Sequence, residues 1–216
     1  MEFLIFQLII LLFSVVIHEL SHGYVAEYLG DNTARDAGRL TLNPIKHLDM
    51  FGSIILPLLL FATGSSFIIG WAKPIPYNPR RLTKDHKYGP LKIALAGPLS
   101  NVLMALVFGL ILRFSFPYIP DFTIMALGFI VMLNILLAVF NLLPIPPLDG
   151  SKIFSVLLPQ KYSYFIQSIG IGGIMIVFLF LILFGGIIFQ LTSFFSELIM
   201  GQIAWASFIN LIGPAF

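Results

Sequence analysis

Residues 3–22 read FLIFQLIILLFSVVIHELSH, an apolar run broken only by Gln7 and Ser14 before it reaches His18-Glu19-Leu20-Ser21-His22. The spacing predicts a helix over about 3–29, long enough to cross a membrane, since roughly 20 residues span the ~30 Å hydrocarbon layer. On that helix, i, i+4 spacing sets both imidazoles on one face, one turn apart, within reach of a single cation. Glu19 projects beside them, where a carboxylate can take a proton from water; this is the H-E-x-x-H zinc pattern. At 100° per residue, Gln7, Ser14, His18, Ser21 and His22 fall within an arc of about 100°. The five-residue pattern also arises by chance in soluble helices. Here it lies inside an apolar span, where ionisable groups are expensive and must face protein or trapped water. The N-terminus has neither a basic region nor a small-residue cleavage site, so a retained helix is expected rather than a signal peptide.

The rest of the chain has the same character. Of 216 residues 58% are hydrophobic and 10% charged, with mean hydropathy +0.98. A soluble domain of this length cannot hide that much apolar surface. Stretches 93–112, 122–143 and 165–191 carry no charge at all. An all-α polytopic membrane protein is expected, forming a single membrane-embedded domain over 1–216. The formal charge of +2 argues against a nucleic-acid partner, and the absence of Cys excludes disulfides and thiolate ligands.

A catalytic zinc needs three protein ligands and an open position. Among the other carboxylates and imidazoles, Glu2, Asp121 and Glu197 sit at the ends of spans, and Glu27 lies about 180° from His18 on the helix. Asp31, Asp36, His47, Asp49, Asp85 and His86 stand among charged or turn residues and are expected to be solvated. Only Asp149 combines a carboxylate with a membrane-embedded setting, in Asn141-Leu-Leu-Pro-Ile-Pro-Pro-Leu-Asp149-Gly150. Pro144, Pro146 and Pro147 forbid a regular helix there and leave an extended backbone able to aim a side chain at the first helix. Taken alone, Asp-Gly also suits the tip of a plain turn.

These motifs together resemble the site-2 protease family. H-E-L-S-H on a membrane helix, Gly97-Pro98-Leu99-Ser100-Asn101 opening a later span and F-N-L-L-P-I-P-P-L-D-G closing the next carry the resemblance. Leu42-Asn-Pro-Ile-Lys-His-Leu-Asp49 and Gly70-Trp-Ala-Lys-Pro-Ile-Pro76 extend it, and are similar to the compact prokaryotic branch without PDZ or CBS domains. It covers about residues 10–155, taken as the catalytic core, with C-terminal helices over about 156–216. The resemblance implies zinc-dependent cleavage of transmembrane or membrane-adjacent segments of membrane-protein substrates. It carries the ligand role for one Zn²⁺ to His18, His22 and Asp149, the base role to Glu19, and an oxyanion-stabilising role to Asn141. In Asn141 a plain helix–helix hydrogen bond is the competing reading. One departure is architectural: many relatives have a span before the zinc motif. The rival function is a non-catalytic zinc-binding membrane protein, either a transporter or an inactive relative.

Metal geometry then constrains topology. For His18 and Asp149 to share one ion, their helices must run parallel, with an odd number of crossings between them. Two apolar candidates lie between, 51–69 and 91–113. The former, broken by Pro57 and Ala62-Thr-Gly-Ser-Ser66, is expected to be re-entrant. All Lys and Arg except Arg113 then fall on one side, so the positive-inside bias places the active-site end toward the cytoplasm of a multi-pass cell-membrane protein. Five to six membrane segments are expected, with crossings at about 3–29, 91–113, 121–143 and 163–190. Stretch 198–212, only 15 residues long and containing Gln202 and Asn210, is read as either interfacial or a short sixth segment. Strand-like alternation in 33–42 suggests a small β-hairpin-like segment near 33–48, offering an edge for an extended substrate. Oligomeric state, substrate identity and regulation have no signature.

Overall fold

The computed structural model of the chain describes residues 2–55, 58–59, 62–63 and 70–213. Its first element, α1, runs unbroken from Glu2 to Tyr28. Its polar stripe turns inward: Ser14, His18 and His22 are buried, while Leu8, Ile9 and Phe13 on the other side are exposed, as suits a lipid-facing surface. A four-residue helix α2 (Thr33–Asp36) follows, and later in the chain comes a central helix α3 (Gly89–Ser115). Next come α4 (Asp121–Asn141), α5 (Asp149–Leu157), α6 (Gln160–Ile169), α7 (Gly173–Met200) and α8 (Gln202–Ile212).

Helix α3 packs between α1 and α4, and α5 lies against its N-terminal half. An apolar core of Ile10, Ala105, Leu112, Ile124, Phe129, Val131 and Phe208 joins α1, α3, α4 and α8 at the end away from the histidines. Among the described residues four helices are long and apolar enough to cross a membrane: 5–28, 89–115, 121–141 and 173–200. The chain is thus a mostly helical multi-pass membrane protein. Helix α7 is the most open of the four, although Ile188, Thr192, Ser196 and Met200 bury one side of its C-terminal part.

Several expectations need correction. Near 33–48 there is no hairpin. Thr33–Asp36 is helical, the Arg39 N–H returns to the Ala34 carbonyl, and Leu40 turns inward against Val16, Leu20 and Ile75. The apparent alternation comes from turns that bury one leucine, not from a strand. Among the described residues the only β-type pairing outside helices is one antiparallel bridge, Leu48 with Ala72. The fourth crossing is shifted from 163–190 to 173–200, because the glycines at 170, 172 and 173 split α6 from α7. Residues 198–212 form the end of α7 and then α8, whose 11 residues are too few to cross. Met50–Ile55 forms a π-type turn. Most of 56–69 lies outside the described residues, and with it the expected re-entrant course.

Candidate metal centre

His18 and His22 lie on α1 with their rings 4.8 Å apart and nearly perpendicular. Asp149 is the first residue of α5, delivered there because the prolines at 144, 146 and 147 end α4 at Asn141 and carry the chain back in turns. The His18 and His22 Nε2 atoms stand 3.1 Å apart, and each is 3.0 Å from Asp149 Oδ2. All three residues are under 10% exposed. His22 lies six residues before the end of α1 and Gly97 eight after the start of α3, so the cluster sits about 9–12 Å inside the helix ends.

The protonation pattern follows from the partners. The His22 Nδ1 donates at 2.6 Å to the Ile93 carbonyl, which can only accept, so that nitrogen carries the hydrogen. The His18 Nδ1 donates to Asn101 Oδ1 at 2.6 Å. In neutral rings both Nε2 atoms therefore present lone pairs toward each other and toward a carboxylate oxygen. Three Lewis-base atoms at 3.0–3.1 Å repel unless positive charge lies between them. Tetrahedral zinc, bonded at about 2.0–2.1 Å, holds its ligand atoms about 3.3–3.4 Å apart, only a few tenths wider than observed. The donor set of two imidazole nitrogens and one carboxylate oxygen fits a zinc site with an open position. Asp149 is confined to one donor atom, because its other oxygen, Oδ1, accepts from Lys152 Nζ at 2.8 Å.

Comparison with known proteins bears on the family. Over 166 residues the chain is 42% identical to a Bacillus subtilis protein named "Putative zinc metalloprotease YwhC", covering 74% of this chain and 70% of that one. The family model described as "Peptidase family M50" matches residues 119–185, the stretch containing Asp149. The chain belongs to peptidase family M50. The M50 chain is also 35% identical over 140 residues to "Putative zinc metalloprotease Rip2" of Mycolicibacterium smegmatis, covering 64% of this chain and 52% of that one. It is 31% identical over 194 residues to "Zinc metalloprotease MJ0392" of Methanocaldococcus jannaschii, covering 87% of this chain and 46% of that one. No solved structure matches.

In this M50 chain the remaining expected residues fall as follows. Glu19, next to His18 on α1, is half-buried, and its Oε2 accepts from the Ile75 N–H at 2.8 Å. Ile75 belongs to an extended segment, 70–78, pinned along its length. The Lys73 N–H donates to the His47 carbonyl at 2.8 Å, and the Asn78 N–H to Asp31 Oδ2 at 2.5 Å. Asn141 caps its own helix, donating to the Leu137 carbonyl at 3.0 Å, and the structure records no hydrogen bond from it to the three clustered residues. Glu27 faces away from the cluster, as expected, and pairs with Arg35.

Two groups expected to be solvated are fully buried. His47 donates from Nε2 to the Thr41 carbonyl at 2.8 Å. Asp31 accepts from the Thr33 N–H and hydroxyl as well as from Asn78. Burial opposes charge on Asp31, but these donors outweigh it and hold the carboxyl below its usual range.

Sequence reasoning gave no role to Asn101, Lys152, the Ile93 carbonyl or the Ile75 N–H. Asn101 stood in the quoted Gly97–Asn101 motif, and an asparagine within an apolar span is itself a signal. The two backbone groups carry no signal in residue type. Gly97, in the same motif, lies directly against both rings: a Cβ there would lie 2.5 Å from His18 Nε2 and Cε1 and would strike His22.

Proposed function

We propose that the chain is an intramembrane zinc metalloprotease that hydrolyses peptide bonds in transmembrane or membrane-adjacent segments of other membrane proteins. The observation that carries this reading is the convergence of His18, His22 and Asp149 on one point inside the helix ends, with Glu19 beside them. In this reading His18, His22 and Asp149 hold the ion. Zinc bound there supplies Lewis acidity, polarising a peptide carbonyl and bringing the pKa of water toward neutrality. Glu19 is the general base: Ile75 holds Oε2, and Oε1 receives the proton of the attacking water and passes it to the leaving amine. No ligand role requires Glu19, which favours catalysis over simple metal binding.

Asn141 stabilises the developing oxyanion, which requires its amide to leave the Leu137 carbonyl when substrate arrives. A substrate helix hides its amides in internal hydrogen bonds and must unwind before attack. The active-site end faces the cytoplasm. This orientation is supported by an excess of basic residues at the histidine end, where Arg35 pairs with Glu27, Arg81 with Asp36 and Lys92 with Asp85 and Lys84 lies over Tyr28, against Arg113 in the last turn of α3.

Glu19→Gln tests the assignment. It should retain zinc and lose proteolysis of a model helix by about 10²- to 10⁴-fold. Cleavage at the parent rate would remove Glu19 from the mechanism.

A further inference from the structure

Beyond the residues that face the ion, α3 and α4 share a chain of buried amides. Asn101 and Asn134 are both 0% exposed and Ser14 is 1% exposed. The Asn101 Nδ2 donates to Asn134 Oδ1 at 2.8 Å. The Asn134 Nδ2 donates to the Ile130 carbonyl at 2.9 Å and to Ser14 Oγ at 3.0 Å. Each amide has a donor end and an acceptor end, so the direction of one dictates the direction of the next.

The Ile130 carbonyl can only accept. It therefore fixes the NH₂ end of Asn134 on its own helix and turns Oδ1 toward α3. Asn101 must answer with its NH₂, which leaves Asn101 Oδ1 facing His18. An acceptor there puts the hydrogen on His18 Nδ1 and leaves the Nε2 lone pair directed at the cluster. Reversal of either amide would point an N–H at His18 Nδ1 and favour the tautomer that cannot bind through Nε2.

We propose that Asn134, which is hydrogen-bonded to none of the three metal ligands, is a positioning residue that sets the His18 tautomer through the Ile130 → Asn134 → Asn101 chain. The inference rests on the zinc reading above and deepens it. Partners behind a metal-bound histidine are typically worth 10- to 100-fold in metal affinity. Asn134 acts one amide further out, through direction and not through charge.

The test is zinc affinity of the full chain in detergent, measured by competition with a chromogenic chelator, with thermal unfolding as a check on folding. Asn134→Leu, close in size but unable to orient Asn101, should weaken zinc binding at least tenfold. Asn134→Asp, kept neutral by burial, still offers one O–H to Ile130 and one C=O to Asn101, and should stay within about threefold of the parent. Ser14→Ala removes a bond but not the directional pin, and should also stay within threefold.

The deciding comparison is in an Asn101→Asp background. A carboxylate presents an acceptor whichever way it turns, so adding Asn134→Leu there should cost less than threefold. An equal cost in both backgrounds would mean that Asn134 merely supports packing, and no cost in either would remove the chain altogether. If Asn134→Leu does not fold, Asn134→Ala carries the same comparison. His22→Ala separates the two readings: if it keeps zinc, the metal site itself is wrong, and if it loses zinc while Asn134→Leu does not, only the positioning claim falls.

Discussion

Gly97→Ala is the smallest change with a large expected effect. The added methyl would lie 2.5 Å from His18 Nε2 and Cε1, where ordinary contact begins near 3.4 Å. Relief therefore needs about 0.9 Å of separation between α3 and α1, or an equivalent turn of the rings. Both rings are tethered, at Asn101 and at the Ile93 carbonyl, and both tethers are on α3 itself. The helix cannot retreat without pulling on the histidines it orients.

A displacement near 1 Å at a catalytic group costs on the order of 100-fold in rate. Folding stability should change far less, because alanine gains about 1 kcal/mol of helix propensity against roughly 1–3 kcal/mol of overpacking. The variant should therefore fold, bind zinc weakly and cleave a model helix about 100-fold more slowly. Gly109→Ala on the same helix is the control. Its methyl meets Ile199 and Val131, apolar side chains able to yield, so it should alter thermal stability and leave zinc stoichiometry unchanged. If Gly97→Ala retains zinc and turns over within threefold of the parent, the close approach of α3 to the histidines does not position them.

Two further outcomes follow from charge. Lys152→Gln should lower turnover by less than about tenfold, because the side chain is 44% exposed and water can replace it at Asp149 Oδ1; a loss beyond 100-fold, measured on protein with full zinc content, would show a direct part in catalysis. Asp31, whose carboxyl is held below its ordinary 3.8 by Thr33 and Asn78 against the opposing effect of burial, stabilises the fold fully above that value and loses the contribution as pH falls below it and through the lowered folded-state pKa. Asp31→Asn should thus lower the melting temperature at pH 7, by the equivalent of about 1–3 kcal/mol, with the gap to the parent narrowing below about pH 4; a gap independent of pH would mean the carboxylate charge plays no part.

Much of the protein was legible in one dimension because its physics is local. Charge-free runs of membrane length need no tertiary information, and three of the four long helices were bounded to within a few residues. The i, i+4 histidines declare their common face as soon as the helix is granted. Asp149 stood out by elimination, since few carboxylates occur in an apolar setting. Where the reading failed, the missing quantity was a neighbour. The alternation in 33–42 looks like a strand until Leu40 is seen packed against α1. Asp31 and His47 look solvated until the extended segment 70–78 closes over them.

What the sequence determined by itself is the class of protein and the identity of the three groups that converge at the candidate metal centre, because composition, helical period and the scarcity of charge in lipid restrict those choices before any folding occurs. What only the tertiary structure decided is how those groups are held. The Ile93 carbonyl behind His22 is 71 residues away, Asn101 behind His18 is 83, and the Ile75 N–H on Glu19 is 56. Hydrogen-bond direction at a metal site is set by partners across helices, and no spacing rule within one helix encodes them.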